Sequence, residues 1–286
     1  MMVGVLVMAY GTPRDRDDIE AYYTDIRRGR TPPPDLLADL VRRYDALGGT
    51  FPLRDITNRQ VAALAAALGS GYDVRLGTKH SSPRIEETVV ELRAAGAERI
   101  VGLVLAPHYS AFSVGEYASR AGAAVDVIES WHLLPAYLDF LDRAVASALS
   151  TVPPGAEVVF TAHSLPERIL AAADPYPAQL RETAAAVAAR HPGVPWSVAW
   201  QSAGRTPEPW LGPDVLDVLR DRARGGSPGV VVCACGFVAD HLEVAYDLDI
   251  EAAAVAAEIE LPFARTASVN DDAAVMAALA ELVAAR

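Results

Sequence analysis

Short runs of apolar residues alternate with longer amphipathic stretches along the whole chain. The short runs have the length and the β-branched content of strands, and the longer stretches have the spacing of helices. The predicted strands are 3–9, 72–77, 99–105, 124–128, 156–162, 195–201, 229–235 and 261–265. The predicted helices are 15–28, 34–47, 57–68, 84–95, 113–122, 135–149, 176–190, 213–224, 238–259 and 270–285. This alternation is typical of an α/β protein with parallel sheets covered by helices on both faces.

A segment rich in Pro and Gly, Thr151–Gly155, divides this pattern near its middle. We therefore predict two similar Rossmann-like units with a cleft between them, each a roughly four-stranded parallel sheet flanked by helices. The first domain is residues 1–150 and the second is residues 151–286, and the last helix is expected to pack back on the first domain. Ligands of such folds bind at the carboxyl ends of the strands.

Composition narrows the classes of function. Of the 286 residues, 51% are hydrophobic and 22% are charged, which is ordinary for a globular protein. The formal net charge of −12 argues against a nucleic-acid partner and against an anionic membrane surface. No apolar run approaches the ~18 residues of a membrane span, and the N-terminus has no basic start of a signal peptide. We therefore expect a cytoplasmic protein without membrane insertion, and a monomer.

The predicted helix 238–259 carries a line of acidic residues. Glu243, Asp247 and Glu251 are four residues apart, Asp240 and Glu258 fall near the same side, and no Lys or Arg lies between these ends. A solvated acidic face is one interpretation. Apolar residues surround the acids, however, and an enclosed ladder of carboxylates is costly unless it handles protons or cations. We interpret this stretch as the working site.

Other polar side chains follow the predicted strands. Tyr10 and His108 come after the first and third strands, and His163 after the fifth. A His in such a position is often structural, with its ring bonded to backbone. His163 has the stronger case for function, because it leads the first strand of the second unit into the same cleft as the acidic helix. No glycine-rich phosphate motif follows Gly11, so nucleotide binding is unsupported.

Two further features allow two interpretations each. The basic cluster is either a solvated helix surface or a patch that receives the carboxylates of a ligand, for which the arginine fork is well shaped. Its members are Arg27, Arg28, Arg30, Arg42 and Arg43, followed by Tyr44. Cys233 and Cys235 are predicted on one side of one strand. They are either buried core residues or part of a metal site, but a closed site needs four ligands.

Eight motifs together resemble the ferrochelatase family, most closely its soluble bacterial form that metallates coproporphyrin III. They occur in order over nearly the entire chain. The motifs are MAYGTP (8–13), YYTDIRRGR (22–30), RRYDALGG (42–49), APHYSAFSVGEY (106–117), TAHSLPE (161–167), DPYP (174–177), WQSAGRTPEPWLGPD (200–214) and GFVADHLEVAYDLDIE (236–251).

The resemblance implies a role for particular positions. The metal-facing catalytic pair of the family falls on His163 and Glu243, and the acidic line behind it falls on Asp247 and Glu251. The tyrosine on the other porphyrin face falls on Tyr10, and the propionate and ring contacts fall on Arg27, Arg43, Tyr44 and Tyr117. One departure is Phe51, where similar proteins usually have a Ser that can donate a hydrogen bond to a propionate.

The implied function is insertion of Fe²⁺ into coproporphyrin III in haem biosynthesis. The alternatives are a ferrochelatase for protoporphyrin IX, a related cobalt chelatase of the same fold, and a non-enzymatic haem or metal carrier. The resemblance implies no cofactor beyond the substrate Fe²⁺. Some similar proteins hold a [2Fe–2S] cluster on four cysteines, but this chain has two, so we predict no cluster.

Overall fold

The computed structural model describes residues 2–286, and its eight strands form two parallel sheets of four strands each. The strands are β1 (Val3–Ala9), β2 (Tyr72–Thr78), β3 (Arg99–Val104), β4 (Val125–Ile128), β5 (Glu157–His163), β6 (Trp196–Gln201), β7 (Val230–Cys233) and β8 (Phe263–Arg265). The orders are β2-β1-β3-β4 and β6-β5-β7-β8, so β1 and β5 occupy corresponding interior positions. The predicted fold class of two similar Rossmann-like units is confirmed.

Helices connect the strands and cover the sheets. They are a 3₁₀ turn (Arg16–Asp18), α1 (Ile19–Ile26), α2 (Pro34–Ala46), α3 (Pro52–Leu68), α4 (Ile85–Ala94), α5 (Val114–Ala121), α6 (Pro135–Leu149), α7 (Arg168–Ala171), α8 (Tyr176–Ala188), α9 (Val215–Arg224), α10 (Leu242–Val244), a π-helix (Ala245–Ala252), α11 (Ala253–Glu258) and α12 (Ala273–Ala284). Pro34, Pro52 and Pro135 open α2, α3 and α6 at the first helical position, where the missing N–H costs nothing.

The predicted α-helix over 238–259 is wrong in two respects. Helical structure begins only at Leu242, and its middle, Ala245–Ala252, is a π-helix. Asp240 therefore precedes the helix and does not share a face with the other acids. Its carboxylate accepts hydrogen bonds from Arg265, Ser268 and Asn270 at 3.2, 2.8 and 2.9 Å, so it is a structural group that holds the segment before the helix.

One hydrophobic cluster contains strand residues from both sheets, among them Val5 and Leu103 from the first and Phe160 and Val231 from the second. Helix α12, at the end of the chain, packs against α3 of the first half. The predicted domain boundary after residue 150 falls between α6 and β5, and its exact place stays a prediction. Within residues 2–286, no helix combines the length and the apolar character that crossing a membrane requires.

A close backbone approach positions the segment between β7 and the π-helix. A Cβ on Gly236 would lie 2.6 Å from the Cα of Ala162, so no larger residue fits there without a shift. The N–H of Gly236 donates to the carbonyl of Thr161 at 2.9 Å. This contact holds the segment against the carboxyl end of β5, next to His163.

Candidate active site

A cavity of about 1150 Å³ opens at the carboxyl ends of the two sheets. This volume slightly exceeds the ~300–1,000 Å³ of typical small-molecule pockets. Its wall contains most of the residues that the sequence singled out, namely Tyr10, Arg43, Tyr44, Tyr117, His163, Glu243, Asp247 and Glu251. The predicted porphyrin contact Arg27 lies outside the wall, whereas its neighbour Arg28 is part of it.

His163 is the last residue of β5, and its two ring nitrogens have different partners. Nδ1 contacts the backbone carbonyl of Ser164, which can only accept a hydrogen bond, so Nδ1 carries the proton. In the neutral ring Nε2 is therefore the free lone pair. Nε2 lies 3.6 Å from Oε1 of Glu243, and Oε2 of Glu243 lies 3.7 Å from Nε2 of His241. The Glu243 carboxylate thus lies between two imidazoles on the cavity wall.

The pair has the electrostatics of an ion pair. Burial disfavours the imidazolium form of His163, but the adjacent Glu243 carboxylate outweighs this effect and raises the pKa of His163 above its ordinary value. Burial alone would raise the pKa of Glu243. The positive charge on His163 and the contact with His241 instead hold the pKa of Glu243 well below its usual range. A proton or a metal cation is therefore strongly favoured between these two side chains.

The π-helix places Asp247 behind Glu243. Asp247 is 7% exposed, and burial raises its pKa to about 6. The Glu243 and Glu251 carboxylates add to this rise, while a hydrogen bond from Ser202 and the charge of Arg43 oppose it. Each residue rotates less about the axis in a π-helix than in an α-helix. The difference is small enough that residues four apart still lie on nearly the same face. The predicted ladder of Glu243, Asp247 and Glu251 therefore lines the cavity despite the different helix type.

Arg43 of α2 is held between two carboxylates. Its Nη1 lies 3.2 Å from Oδ1 of Asp247, its Nε lies 3.2 Å from Oδ2 of Asp39, and its guanidinium lies 4.6 Å from the ring centroid of Tyr246. The acidic helix therefore receives its cation from the other half of the chain, 204 residues away. The absence of a Lys or Arg within the acidic stretch does not leave Asp247 without a positive partner.

The wall formed by the first half is aromatic. Tyr10 follows β1 and is 43% exposed, and Tyr117 of α5 is buried. The ammonium nitrogen of Lys79 lies 5.5 Å from the ring centroid of Tyr10 and 5.0 Å from that of Tyr117, and it forms an ion pair with Glu116. The cavity wall partly desolvates the phenol and raises the pKa of Tyr10 above its usual range, and the Glu243 carboxylate adds to the rise. The phenol is therefore neutral at physiological pH.

Phe51 and Arg27 each lie near the ring of a tyrosine. Phe51 precedes α3 without a side-chain capping bond, and its ring stacks on that of Tyr44 with centroids 4.5 Å apart. The guanidinium of Arg27 lies 5.9 Å from the ring centroid of Tyr23. A propionate role for Arg27 stays a prediction.

Several wall residues were missed at the sequence level, among them Lys79, His80, Ser202 and Arg205. Lys79 and His80 directly follow β2, so the rule that sites gather at strand ends would have found them. Ser202 has a positive φ of 60°, an uncommon conformation for a residue other than glycine, and it donates a hydrogen bond to Asp247. No local pattern in the sequence signals this contact.

The two cysteines do not share one strand, because β7 ends at Cys233. The N–H of Cys235 turns back to the carbonyl of Cys233 at 2.8 Å, and both residues are buried. Burial also raises the pKa of the Cys235 thiol. Within residues 2–286 no group of three or more His, Cys, Asp or Glu side chains forms a closed metal site.

Comparison with known proteins finds relatives over nearly the whole chain. The family model described as Ferrochelatase matches residues 2–286. The coproporphyrin III ferrochelatase of Halalkalibacterium halodurans is 44% identical over 92% of this chain and 90% of its own length. That of Geobacillus thermodenitrificans is 44% identical over 99% of this chain and 96% of its own. The coproporphyrin III ferrochelatase 2 of Bacillus cereus is 41% identical over 98% and 93%.

A solved structure supports the fold alone. It is a multi-domain protein of Deinococcus radiodurans described as having structural similarity to chelatases and two additional novel domains. It matches 99% of this chain with a TM-score of 0.57 and 14% sequence identity. This chain spans 55% of the length of that protein. The match to the family model over nearly every residue and the identity to full-length relatives lead to one conclusion: the chain belongs to the ferrochelatase family.

Proposed function

We propose that the protein inserts Fe²⁺ into coproporphyrin III to give Fe-coproporphyrin (coproheme), a step of haem biosynthesis. The observation that carries the proposal is the pair formed by His163 and Glu243, whose Nε2 and Oε1 atoms lie 3.6 Å apart on the cavity wall. Relatives that are 41–44% identical are named for this porphyrin, which supports the choice of substrate.

The reaction removes two pyrrole protons and forms bonds from iron to the porphyrin nitrogens. The site must therefore present a metal, release it and accept protons. Nitrogen and carboxylate ligands lie about 2.0–2.2 Å from a divalent ion such as zinc, so a separation of 3.6 Å lets Nε2 of His163 and Oε1 of Glu243 contact one ion. Imidazole and carboxylate hold Fe²⁺ more weakly than a thiolate cage, which favours its release to the macrocycle.

The proton and Fe²⁺ compete for Nε2 of His163, because a histidine ligand must be deprotonated. Once the metal has left the pair, Nε2 accepts the two pyrrole protons one after the other and passes each to the carboxylates behind it, while the Glu243 carboxylate stabilises the imidazolium. Asp247 and Glu251 then carry protons outward, or hydrated cations inward. A pKa of about 6 suits Asp247 to this work, because a group that titrates near the working pH gains and loses protons readily.

The first half of the chain holds the macrocycle in this proposal. Tyr10 approaches the metal from the other porphyrin face, and Tyr44 and Tyr117 supply apolar contact for a flat ring. Arg27 and Arg43 are the proposed propionate contacts. The structure supports a further role for Arg43, which positions Asp247 by direct contact.

Substrate choice separates this proposal from its runner-up. Coproporphyrin III has four propionates and protoporphyrin IX has two, so each well-formed arginine contact to an extra propionate favours coproporphyrin III by ~1.5 kcal/mol or more, about tenfold. The test is an anaerobic assay with Fe²⁺ and either porphyrin, followed by loss of porphyrin fluorescence. We expect a higher kcat/KM for coproporphyrin III. Equal kcat/KM values for the two porphyrins under the same detergent conditions would contradict the preference for coproporphyrin III and favour protoporphyrin IX as the substrate.

The same assay with Co²⁺ and a corrinoid precursor tests the cobalt-chelatase alternative, and insertion of either metal argues against a carrier. We further propose that the protein is a cytoplasmic monomer. We also propose that it has no resident cofactor, because one chain supplies two of the four cysteines that a [2Fe–2S] cluster needs. Iron and sulfide analysis, sedimentation and cell fractionation test these three points. A brown protein with two irons per dimer would contradict both the absence of a resident cofactor and the monomeric state.

A further inference from the structure

Three arginines converge on Asp39, a residue of the cavity wall. Arg42 and Arg43 come from α2, as Asp39 itself does, while Arg205 comes from the segment 202–214 that follows β6 in the second half. The Nη2 atom of Arg205 lies 2.6 Å from Oδ2 of Asp39. Both Asp39 and Arg205 line the cavity. This contact therefore joins the two halves of the chain on the cavity wall.

Arg43 and Arg205 share one carboxylate but differ in how firmly they are held. The Arg43 side chain is 23% exposed and is fixed by Asp39, Asp247 and the Tyr246 ring. The Arg205 side chain is 56% exposed, and in the described part of the chain Asp39 is its hydrogen-bonding partner. A solvent-exposed ion pair is worth about 0–1 kcal/mol, so Arg205 can leave Asp39 at little cost.

The residues on either side of Arg205 are held in place, whereas its guanidinium is not. Gly204 has no room for a side chain, because an added Cβ would lie 2.3 Å from the Trp210 ring. On the other side, Nε1 of Trp210 donates to Oγ1 of Thr206 at 3.0 Å. Trp210 thus fixes the residues before and after Arg205.

We propose that Arg205 binds one propionate of the porphyrin substrate, exchanging the Asp39 carboxylate for that of the substrate. This inference rests on the proposed function. No charge is left unpaired by the exchange. Arg205 pairs with the propionate, and Asp39 keeps its contacts with Arg42 and Arg43. Two other cations of the wall are held by carboxylates and are more buried than Arg205: Lys79 pairs with Glu116, and Arg120 pairs with Glu86 at 2.7 Å.

The test is binding of metal-free coproporphyrin III, measured by porphyrin fluorescence, to wild-type protein and to Arg205→Gln. We expect the Kd to rise roughly three- to tenfold, because a charge-assisted bond at a half-exposed site contributes less than a buried one. The uncharged tetramethyl ester of coproporphyrin III, in the same detergent, should bind both proteins equally. Arg220→Gln is the matched control, because Arg220 also has an exposed ion-pair partner, Asp217, and loses the same charge away from the cavity.

A Kd for Arg205→Gln within twofold of wild type would overturn the inference, as would an equal loss of affinity for the ester. Asp39→Asn separates direct binding from an indirect role of the ion pair. We expect this variant to bind coproporphyrin III at least as tightly as wild type, because a competing carboxylate has lost its charge. Weakening as large as that of Arg205→Gln would contradict the exchange. Iron insertion measured on the same wild-type sample tests the proposed function separately.

Discussion

The two halves of the molecule build opposite walls of one cavity from corresponding positions, yet the two walls differ in chemistry. Tyr10 follows β1 and His163 ends β5, and these strands hold the same place in two sheets of the same order. The first wall presents phenols with Lys79 between them. The second presents an imidazole backed by carboxylates. The shared architecture thus fixes where a site forms, and the residues at the strand ends decide what it does.

Electrostatics sharpen this difference. On the first wall the pKa of Tyr10 is raised, so this phenol stays neutral and can contact a flat apolar ring. On the second wall the pKa of His163 rises and that of Glu243 falls, so a proton shared between them is held strongly. A metal cation can replace that proton. We therefore expect substitutions on the second wall to affect mainly the rate, and those on the first wall to affect mainly binding.

The largest expected effect is that of His163→Ala. Loss of a base and metal ligand should lower kcat by ~10²–10⁴-fold, while coproporphyrin III still binds. Steady-state iron insertion and porphyrin fluorescence measure the two quantities. His191→Ala is the control, because this His pairs with Asp142 at 2.9 Å outside the cavity wall. A His163→Ala enzyme within a few-fold of wild type would show that the second wall is not the working one.

Glu243→Gln should be next in size, with kcat/KM lowered on the order of 10²-fold. The variant also tests the pairing with His163. The carboxylate raises the pKa of His163, so its removal should lower that pKa, and the neutral ring should persist to lower pH. The acidic limb of the pH profile of kcat/KM should then move to lower pH. Glu258→Gln, further along the same helical stretch, is the control and should leave both the rate and the profile unchanged.

Asp247→Asn should lower kcat about tenfold, and its effect on stability should depend on pH. The folded-state pKa of Asp247 is about 6, above the ~3.9 of an unfolded chain, so the folded state binds the proton more tightly. Wild-type stability from this group is therefore lost as pH rises from about 4 through 6, by roughly 2–3 kcal/mol. The Tm of the variant relative to wild type should increase over that range. Parallel profiles of Tm against pH would contradict the raised pKa.

Local patterns in the sequence predicted the strands, because apolar runs of β-branched residues are a local signal. They also predicted His163 and the acids at 243, 247 and 251, since strand ends and four-residue spacing are both local. The π-helix was not predictable in this way, because π and α turns keep residues four apart on similar faces.

Contacts between distant residues were also beyond local patterns. Arg43 reaches Asp247 across 204 residues, and Arg205 reaches Asp39 across 166. Spacing alone groups Asp240 with the acids at 243, 247 and 251, whereas its partners lie at the end of β8 and just after it. Such pairings depend on how the two halves pack against each other, and the periodicity of residues within one helix or strand carries no information about that packing.

The smallest expected effect is that of Phe51→Ser, at a residue that contacts Tyr44 of the first wall. Phe51 stacks on Tyr44, and such a pair contributes ~0.5–1.5 kcal/mol, while a Ser before α3 gains a capping bond of similar size. Tm should therefore change little. The new hydroxyl can donate to a propionate, so KM for coproporphyrin III should fall two- to fivefold, roughly 0.4–1 kcal/mol, with kcat unchanged. Phe51→Ala removes the same ring without adding a donor and should not lower KM. If Ser and Ala give the same KM, the hydroxyl does not reach the substrate, and Phe51 acts only by supporting the Tyr44 ring.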